Sequence, residues 1–291
     1  MTGATQVSDL AVHYEACGTM LRAEDRDRWL ACLFAPDDKR PHLHALYAFS
    51  LEMARVRELV SEPLPGEIRM QWWRDALCGQ GRGDVQAHPV AGALIDTVSR
   101  FHLPVQALKD LIEGRGFDLY DDPMPTLGDL EGYCGETSSS LMRLASLVLA
   151  DGRDPGGTDA VGHGGVAYAM TGLMRALPWH AARGQLYLPV DLLASHGVTR
   201  EDVVAGRETP AFQEALADLR GQARRHLIAA HKAAGSLLPE ARAALAPLGL
   251  VEPYLARMER ADYQPFKSSV DLPQWRRQWA LWREARFLSR L

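Results

Sequence analysis

The fold is decided by one stretch near the start of the chain, residues 41–63, which reads PHLHALYAFSLEMARVRELVSEP. Its apolar residues recur at the three- and four-residue spacing that is typical of a helix. One face carries Phe49, Met53, Val56 and Val60. Leucines and a tyrosine cover a neighbouring face, so the helix should run through the interior of the protein. Pro41 suits the first turn, and Pro63 pushes the residue before it out of the helical region, so the helix should end near residue 62.

Helical periodicity continues along most of the chain. Helices are predicted over residues 66–77, from residue 89 onward, and over residues 133–149, 159–176, 209–234 and 240–261. Thr126 and Asp129 have the spacing of a capping box and should open the helix that contains residues 133–149. Alternating runs of β-branched residues and long linkers are both lacking. The sequence therefore predicts one all-α domain that covers residues 1–291.

Composition narrows the function classes. Hydrophobic residues make up 47% of the chain and charged residues 24%, which is the balance of a globular protein with a full core. A net charge of −5 gives no case for nucleic-acid binding. The four cysteines have no metal-binding spacing and are predicted to be reduced thiols. No signal peptide or membrane-spanning segment is apparent, so a cytoplasmic location is expected, with contact to the inner face of the membrane left open.

Several short motifs, in order along the chain, resemble those of the squalene/phytoene synthase family. They are Tyr47-Ala48-Phe49, Trp72-Trp73-Arg74-Asp75, His88-Pro89-Val90, Phe117-Asp118-Leu119, Asp129-Leu130-Glu131-Gly132-Tyr133 and Arg183-Gly184-Gln185-Leu186-Tyr187-Leu188-Pro189. Together they span roughly residues 20 to 290. The resemblance implies a single isoprenoid-synthase-like helical bundle around a central channel.

The resemblance also implies a metal clamp, in which aspartates one turn apart on two facing helices hold Mg²⁺ against prenyl diphosphates. Here the clamp positions fall on Ala54, Glu58, Ala176 and His180, so only one carboxylate remains. No Asp or Glu occurs anywhere in residues 160–185. Magnesium needs hard oxygen ligands, so we expect no metal site and no cofactor; Mg²⁺ would be required only if the chain is a diverged enzyme.

Other candidate ligand-binding residues lie near these positions. They are Tyr47, Arg55, Arg57, Glu58, Trp72, Asp118, Tyr133, Glu136, Thr137, Arg175, His180, Arg183 and Tyr187. The arginines could form an anion site, because guanidinium groups bind phosphate bidentately. The alternative is that Arg55 pairs with Glu52, Glu58 or Glu62 along its own helix.

Three further features leave two interpretations each. Trp72 and Trp73 could anchor the core or line an apolar pocket. Asp118 could belong to the site or could cap a helix. Residues 275–291 combine three tryptophans with arginines, which suits either a helix docked on the core by its tryptophans or peripheral contact with a membrane.

The leading functional hypothesis is a non-catalytic family member, similar to the aspartate-poor branch that includes mitochondrial complex I assembly factors. Its partners would be a protein in complex assembly, or a polyprenyl or other lipid. The alternative is a diverged prenyl-diphosphate transferase of isoprenoid biosynthesis.

Overall fold

The predicted all-α architecture is confirmed in a computed structural model, which describes the backbone of residues 2–291 and side chains from residue 10 onward. The α-helices are α1 Thr2–Glu24, α2 Arg26–Cys32, α3 Arg40–Arg55, α4 Pro63–Leu77, α5 Pro89–Phe101, α6 Val105–Gly116, α7 Leu127–Cys134, α8 Ser140–Leu149, α9 Thr158–Arg175, α10 Leu177–Ala182, α11 Val190–Ser195, α12 Arg200–Val204, α13 Pro210–Ala233, α14 Val251–Arg257 and α15 Gln274–Leu288. Within residues 2–291 no β-strand forms beyond one isolated bridge between Gly156 and Leu237.

Local sequence explains where several helices begin. Proline stands at the first turn of α3, α4 and α5, where its missing N–H is no loss. The predicted capping box at Thr126 is present. The threonine hydroxyl accepts a hydrogen bond from the Asp129 N–H, and the Asp129 carboxylate accepts one from the Thr126 N–H. An equivalent box at Thr199 and Asp202 opens α12. These contacts satisfy backbone donors that the first helical turn leaves free.

The core forms around α3, as its periodicity predicts. Phe49, Leu46 and Ala48 are fully buried there, and α1, α5 and α8 pack against this helix. The most extensive contact between two helices of the described chain joins α9 to α13. On its other side α9 approaches the backbone closely, since a Cβ on Gly165 would lie 2.3 Å from the Cα of Ser139. The C-terminal ends of α3 and α9 meet at one cleft.

Two helix predictions need correction. Residues 56–60 do not continue α3, because Val56–Leu59 is a 3₁₀ turn and Val60 is extended. The predicted helix over residues 240–261 begins instead as a 3₁₀ segment, Pro239–Leu250, and becomes α-helical only in α14. Pro247 lies inside that segment and has no N–H for an α-helical bond. A further departure is a single π-helical turn, Gly135–Ser139, between α7 and α8.

The interpretation that tryptophans dock the C-terminal helix is wrong. Helix α15 buries Ala280, Leu281, Glu284 and Leu288, whereas all three of its tryptophans are exposed. Its approach to the core is close, because a Cβ on Gly249 would lie 2.8 Å from the Ala280 carbonyl oxygen. Small and aliphatic side chains therefore make this contact, and the aromatic rings lie outside it.

Membrane-spanning length and apolarity are not found together in any helix of the described chain.

Candidate functional site

One cleft collects most of the candidate residues. Its volume is about 380 Å³, and it lies where the C-terminal end of α3 meets α9, α10 and the 3₁₀ turn Phe117–Leu119. It is lined by Glu24, Leu51, Ala54, Arg55, Arg57, Glu58, Arg115, Asp118, Tyr133, Ala176, Trp179, His180, Arg183, Gln185 and Tyr187. All four positions that the resemblance assigns to a metal clamp line this cleft. Two of them, Ala54 and Ala176, are 122 residues apart in the sequence.

Asp118 lies at the centre of the polar wall and is 4% exposed. Its Oδ1 accepts hydrogen bonds from the Tyr133 hydroxyl at 2.8 Å and the Tyr187 hydroxyl at 2.7 Å. Its Oδ2 accepts from Nη1 of Arg115 at 3.0 Å, and the same Nη1 also donates to Tyr133 Oη at 2.8 Å. The interpretation of Asp118 as a helix cap is therefore wrong, because its partners are three side chains and its 3₁₀ turn has no side-chain cap.

Burial sets the protonation of this network. It raises the pKa of the Tyr133 hydroxyl and of the Tyr187 hydroxyl well above the ordinary value, and the nearby Asp118 carboxylate adds to the effect. Both tyrosines therefore stay protonated and keep donating to Asp118 at neutral pH. With the Arg115 guanidinium they satisfy this carboxylate completely, as a buried charge requires.

His180 lines the same wall, with its ring centroid 4.5 Å from that of Tyr187. Burial lowers the pKa of this imidazole to about 4. A neutral ring is therefore present at physiological pH, so His180 adds no positive charge to the cleft.

Glu58 lies among arginines. Its Oε2 is 3.6 Å from Nε of Arg55, and its Oε1 is 3.7 Å from Nη1 of Arg183. Arg55 also forms a close ion pair with Glu24 of α1, and the Arg183 guanidinium lies 4.1 Å from the centroid of the Trp179 ring. The predicted pairing of Arg55 with Glu58 is present, and its second partner is Glu24 rather than Glu52 or Glu62.

The remaining cleft arginine is also engaged. Arg57 donates through Nη1 to the Val60 carbonyl at 3.1 Å, and its Nη2 lies 3.5 Å from Asp121. The cleft therefore carries four arginines and three carboxylates, and each guanidinium has a carboxylate within 4 Å.

Five candidates lie outside the cleft. Arg175 is paired elsewhere: its Nη1 is 3.2 Å from Asp27, and its guanidinium packs 3.5 Å from the Tyr254 ring centroid. Tyr47 is buried in the core, with the Arg28 guanidinium over its ring. Thr137 is buried and donates to the Tyr133 carbonyl, and Glu136 is exposed. Trp72 packs edge-on to Trp73 as part of an aromatic cluster.

Magnesium does not fit the donors of this cleft. The ion takes carboxylate oxygens in octahedral geometry and retains several waters. The carboxylates on the wall, Glu24, Glu58 and Asp118, are each held by an arginine. From residue 10 onward, no group of three or more His, Cys, Asp or Glu side chains is placed to hold a metal ion.

Sequence reasoning missed several cleft residues. Arg115 is the most important, and its position in the last turn of α6, three residues before Asp118, is a signal that could have indicated the pair. Gln185 lies inside the motif of residues 183–189 but is not among the predicted site residues. Its amide donates to the Asp118 carbonyl at 3.2 Å. Glu24 comes from α1, and nothing in the local sequence connects it to Arg55.

Comparison with known proteins finds the same family that the sequence motifs resemble. A family profile for squalene/phytoene synthases matches residues 21–283. NADH dehydrogenase (ubiquinone) complex I, assembly factor 6, of Rattus norvegicus is 32% identical over 254 residues, covering 87% of this chain and 76% of the relative. The phytoene synthase of Arthrospira platensis is 27% identical over 285 residues, covering 92% of this chain and 91% of the relative.

Solved structures show the same fold. A dehydrosqualene synthase in complex with a ligand superposes with a TM-score of 0.83 at 18% identity, covering 98% of this chain and 100% of that one. Squalene synthase HpnC from Alicyclobacillus acidocaldarius gives a TM-score of 0.74 at 23% identity, covering 89% of this chain and 97% of that one. The fold and the position of the cleft define an all-α protein of the isoprenoid-synthase type. The chain belongs to the squalene/phytoene synthase family.

Proposed function

We propose that this family member is non-catalytic and acts in the assembly of a respiratory NADH dehydrogenase complex. The assembly factor 6 proteins of rat and human, which are 32% and 30% identical to this chain, carry that role in their names. The phytoene synthase of Arthrospira platensis is 27% identical, so similarity alone does not separate the two functions. The residues that line the cleft favour the non-catalytic function.

The observation that carries the proposal is the state of Glu58. Of the four positions that resemble a metal clamp it is the only carboxylate, and Arg55 and Arg183 lie within 4 Å of it. Two guanidinium groups partly compensate the negative charge of this carboxylate, which makes it a poorer ligand for a divalent cation. Ala54 and Ala176, which complete this wall with His180, offer no oxygen ligand in their side chains.

Lipid binding is a second candidate function, favoured by a neighbouring cavity of about 280 Å³ that is mostly apolar but is also lined by Glu52, Arg69 and His88. This cavity shares Leu51 and Arg55 with the cleft. Its other apolar walls are Met20, Met53, Val56, Leu59 and Trp73. Native mass spectrometry of the purified protein, looking for a co-purified lipid, tests this function directly.

The assembly role is tested in cells of the source organism that lack this chain. Assembled NADH dehydrogenase complex, followed by native electrophoresis and NADH oxidation in membranes, should fall on deletion and return with the wild-type chain. A Glu58→Gln variant should restore it equally, because the role needs no metal chemistry. An intact complex in the deletion strain, accompanied by loss of a prenyl product, would instead establish the transferase alternative.

A further inference from the structure

The outer face of α15 concentrates exposed aromatic rings. Trp275 is 63% exposed, Trp279 58% and Trp282 42%. Since successive helical residues turn by about 100°, these three side chains point within about 60° of one another. The rings of Trp279 and Trp282 stack, with centroids 5.0 Å apart. The tryptophans therefore form one continuous stripe along the helix.

Arginines accompany this stripe. Arg276, Arg283, Arg286 and Arg290 are exposed, and none of them has a carboxylate within 4 Å in the structure from residue 10 onward. Two of them lie over tryptophan rings, Arg276 at 5.2 Å from the Trp275 centroid and Arg286 at 5.2 Å from the Trp282 centroid. We call these seven residues the Trp/Arg face.

Acidic groups are kept away from the Trp/Arg face. The only acidic residue of α15 is Glu284, which is 8% exposed and lies 2.8 Å from Nε2 of His231 on the core side. Arg277 is also turned inward, where it is 3.4 Å from Asp27. No acidic side chain of α15 therefore lies on the Trp/Arg face, although the chain as a whole has a net charge of −5.

We propose that the Trp/Arg face lies on the surface of an anionic lipid bilayer, with α15 parallel to the membrane plane. Tryptophan rings favour the headgroup region, where the apolar body is buried and the indole N–H stays hydrated. Unpaired arginines complement anionic headgroups. In a two-fold dimer this face would meet its own copy and place arginines against arginines, so charge favours a membrane over a second copy. The core contacts of α15 are on its opposite side, so docking needs no unfolding. The contact between α15 and the membrane does not depend on whether the cleft is catalytic.

The test is co-sedimentation of the full chain with vesicles of phosphatidylcholine, made with and without phosphatidylglycerol. Wild-type protein should bind the anionic vesicles and show little affinity for neutral ones. Binding should weaken with added salt but persist in part, because insertion of the tryptophans is not screened. Arg283→Glu plus Arg290→Glu should weaken binding at least about tenfold, since each arginine near an anionic surface contributes appreciably.

Trp275→Ala plus Trp279→Ala should also lose at least about tenfold in vesicle affinity. Two matched control variants test whether these losses are specific to α15. Leu64→Ala plus Ile68→Ala removes side chains that are 64% and 62% exposed on α4 and should leave binding unchanged. Arg82→Glu plus Arg225→Glu makes the same charge change on exposed residues elsewhere and should have a much smaller effect.

Three results would overturn the inference. One is equal binding of wild type to neutral and anionic vesicles. Another is unchanged binding when both tryptophans are replaced. The third is a concentration-dependent dimer in analytical ultracentrifugation that the tryptophan variant abolishes, which would assign the face to a second copy.

Discussion

Arg183 and Glu58 face each other in the cleft, with Nη1 of the arginine 3.7 Å from Oε1 of the glutamate. This pair joins the loop after α10 to the 3₁₀ turn after α3, across the walls where the family resemblance places the two halves of a metal clamp. Arg183 is held in place by stacking on Trp179. The Arg183 guanidinium therefore lies beside Glu58, one of the positions that the resemblance assigns to a metal clamp.

Removal of the Glu58 charge should turn the cleft into a better anion site. In Glu58→Gln, Arg55 and Arg183 lose a shared counter-charge and become available to pyrophosphate. At constant ionic strength, pyrophosphate should raise the melting temperature of this variant by about 2–4 °C more than that of wild type, the shift expected for roughly tenfold tighter binding. Glu113→Gln, which frees Arg74 outside the cleft, is the control. Equal shifts in wild type and Glu58→Gln would show that Glu58 does not compete with anions.

Replacement of Asp118 should destabilise the fold strongly. Asp118→Asn leaves the Arg115 guanidinium with no counter-charge in a buried position, which costs about 3–5 kcal/mol. Tyr187→Phe removes one hydrogen bond to the same carboxylate and should cost about 1 kcal/mol. Urea denaturation measures both free energies of unfolding, and Tyr120→Phe, an exposed hydroxyl, is the control. A loss below about 1 kcal/mol in Asp118→Asn would mean that this network does not stabilise the protein.

Two substitutions on α15 should differ sharply in their effect on stability. Leu281 is fully buried, so Leu281→Ala should lower the free energy of unfolding by about 2–5 kcal/mol. Trp279 is 58% exposed, so Trp279→Ala should change it by less than about 0.5 kcal/mol. Thermal or urea unfolding compares them. If the tryptophan variant were the less stable of the two, the tryptophans would be docking the helix after all.

His180 should make stability depend on pH in a definite direction. Burial lowers its pKa from 6.5 to about 4, so the unfolded chain binds a proton in this interval while the folded chain does not. Its contribution to stability is therefore full above about pH 6.5 and is lost as the pH falls toward 4. His42 and His44, whose pKa values burial also lowers to about 4, act in the same window.

The measurement is the free energy of unfolding of His180→Gln between pH 7 and pH 4, relative to wild type. The variant should show a shallower loss of stability on acidification. His102→Asn replaces an exposed histidine with a residue that tolerates its left-handed backbone and should keep the wild-type slope. An unchanged slope in His180→Gln would contradict a buried neutral imidazole.

Features that depend only on neighbouring residues could be predicted from the sequence. The capping box of Thr126 and Asp129 was correct because it depends on residues three positions apart. The 3₁₀ segment Pro239–Leu250 was mistaken for an α-helix because apolar periodicity does not distinguish the two hydrogen-bonding patterns. The exposure of the tryptophans on α15 was likewise invisible, since amphipathic spacing does not say which face meets the core.

The site was predictable only in part. The four positions that the resemblance assigns to a metal clamp, Ala54, Glu58, Ala176 and His180, line one cleft. The resemblance could not show that Arg175, one residue before Ala176, pairs with Asp27, which is 148 residues distant. Nor could it show the hydrogen bond from Tyr187 to Asp118 across 69 residues. Such contacts depend on tertiary packing, which a single sequence does not encode in any local pattern.

Catalysis by this chain is measured as release of diphosphate from farnesyl or geranylgeranyl diphosphate by the purified protein in the presence of Mg²⁺. Because Glu58 is paired with Arg55 and Arg183, we expect no release above that of heat-inactivated protein, and no difference between wild type and Glu58→Gln. Release that requires Mg²⁺, stops on chelation and falls in Glu58→Gln would contradict this expectation, and would establish this chain as a working prenyl-diphosphate transferase.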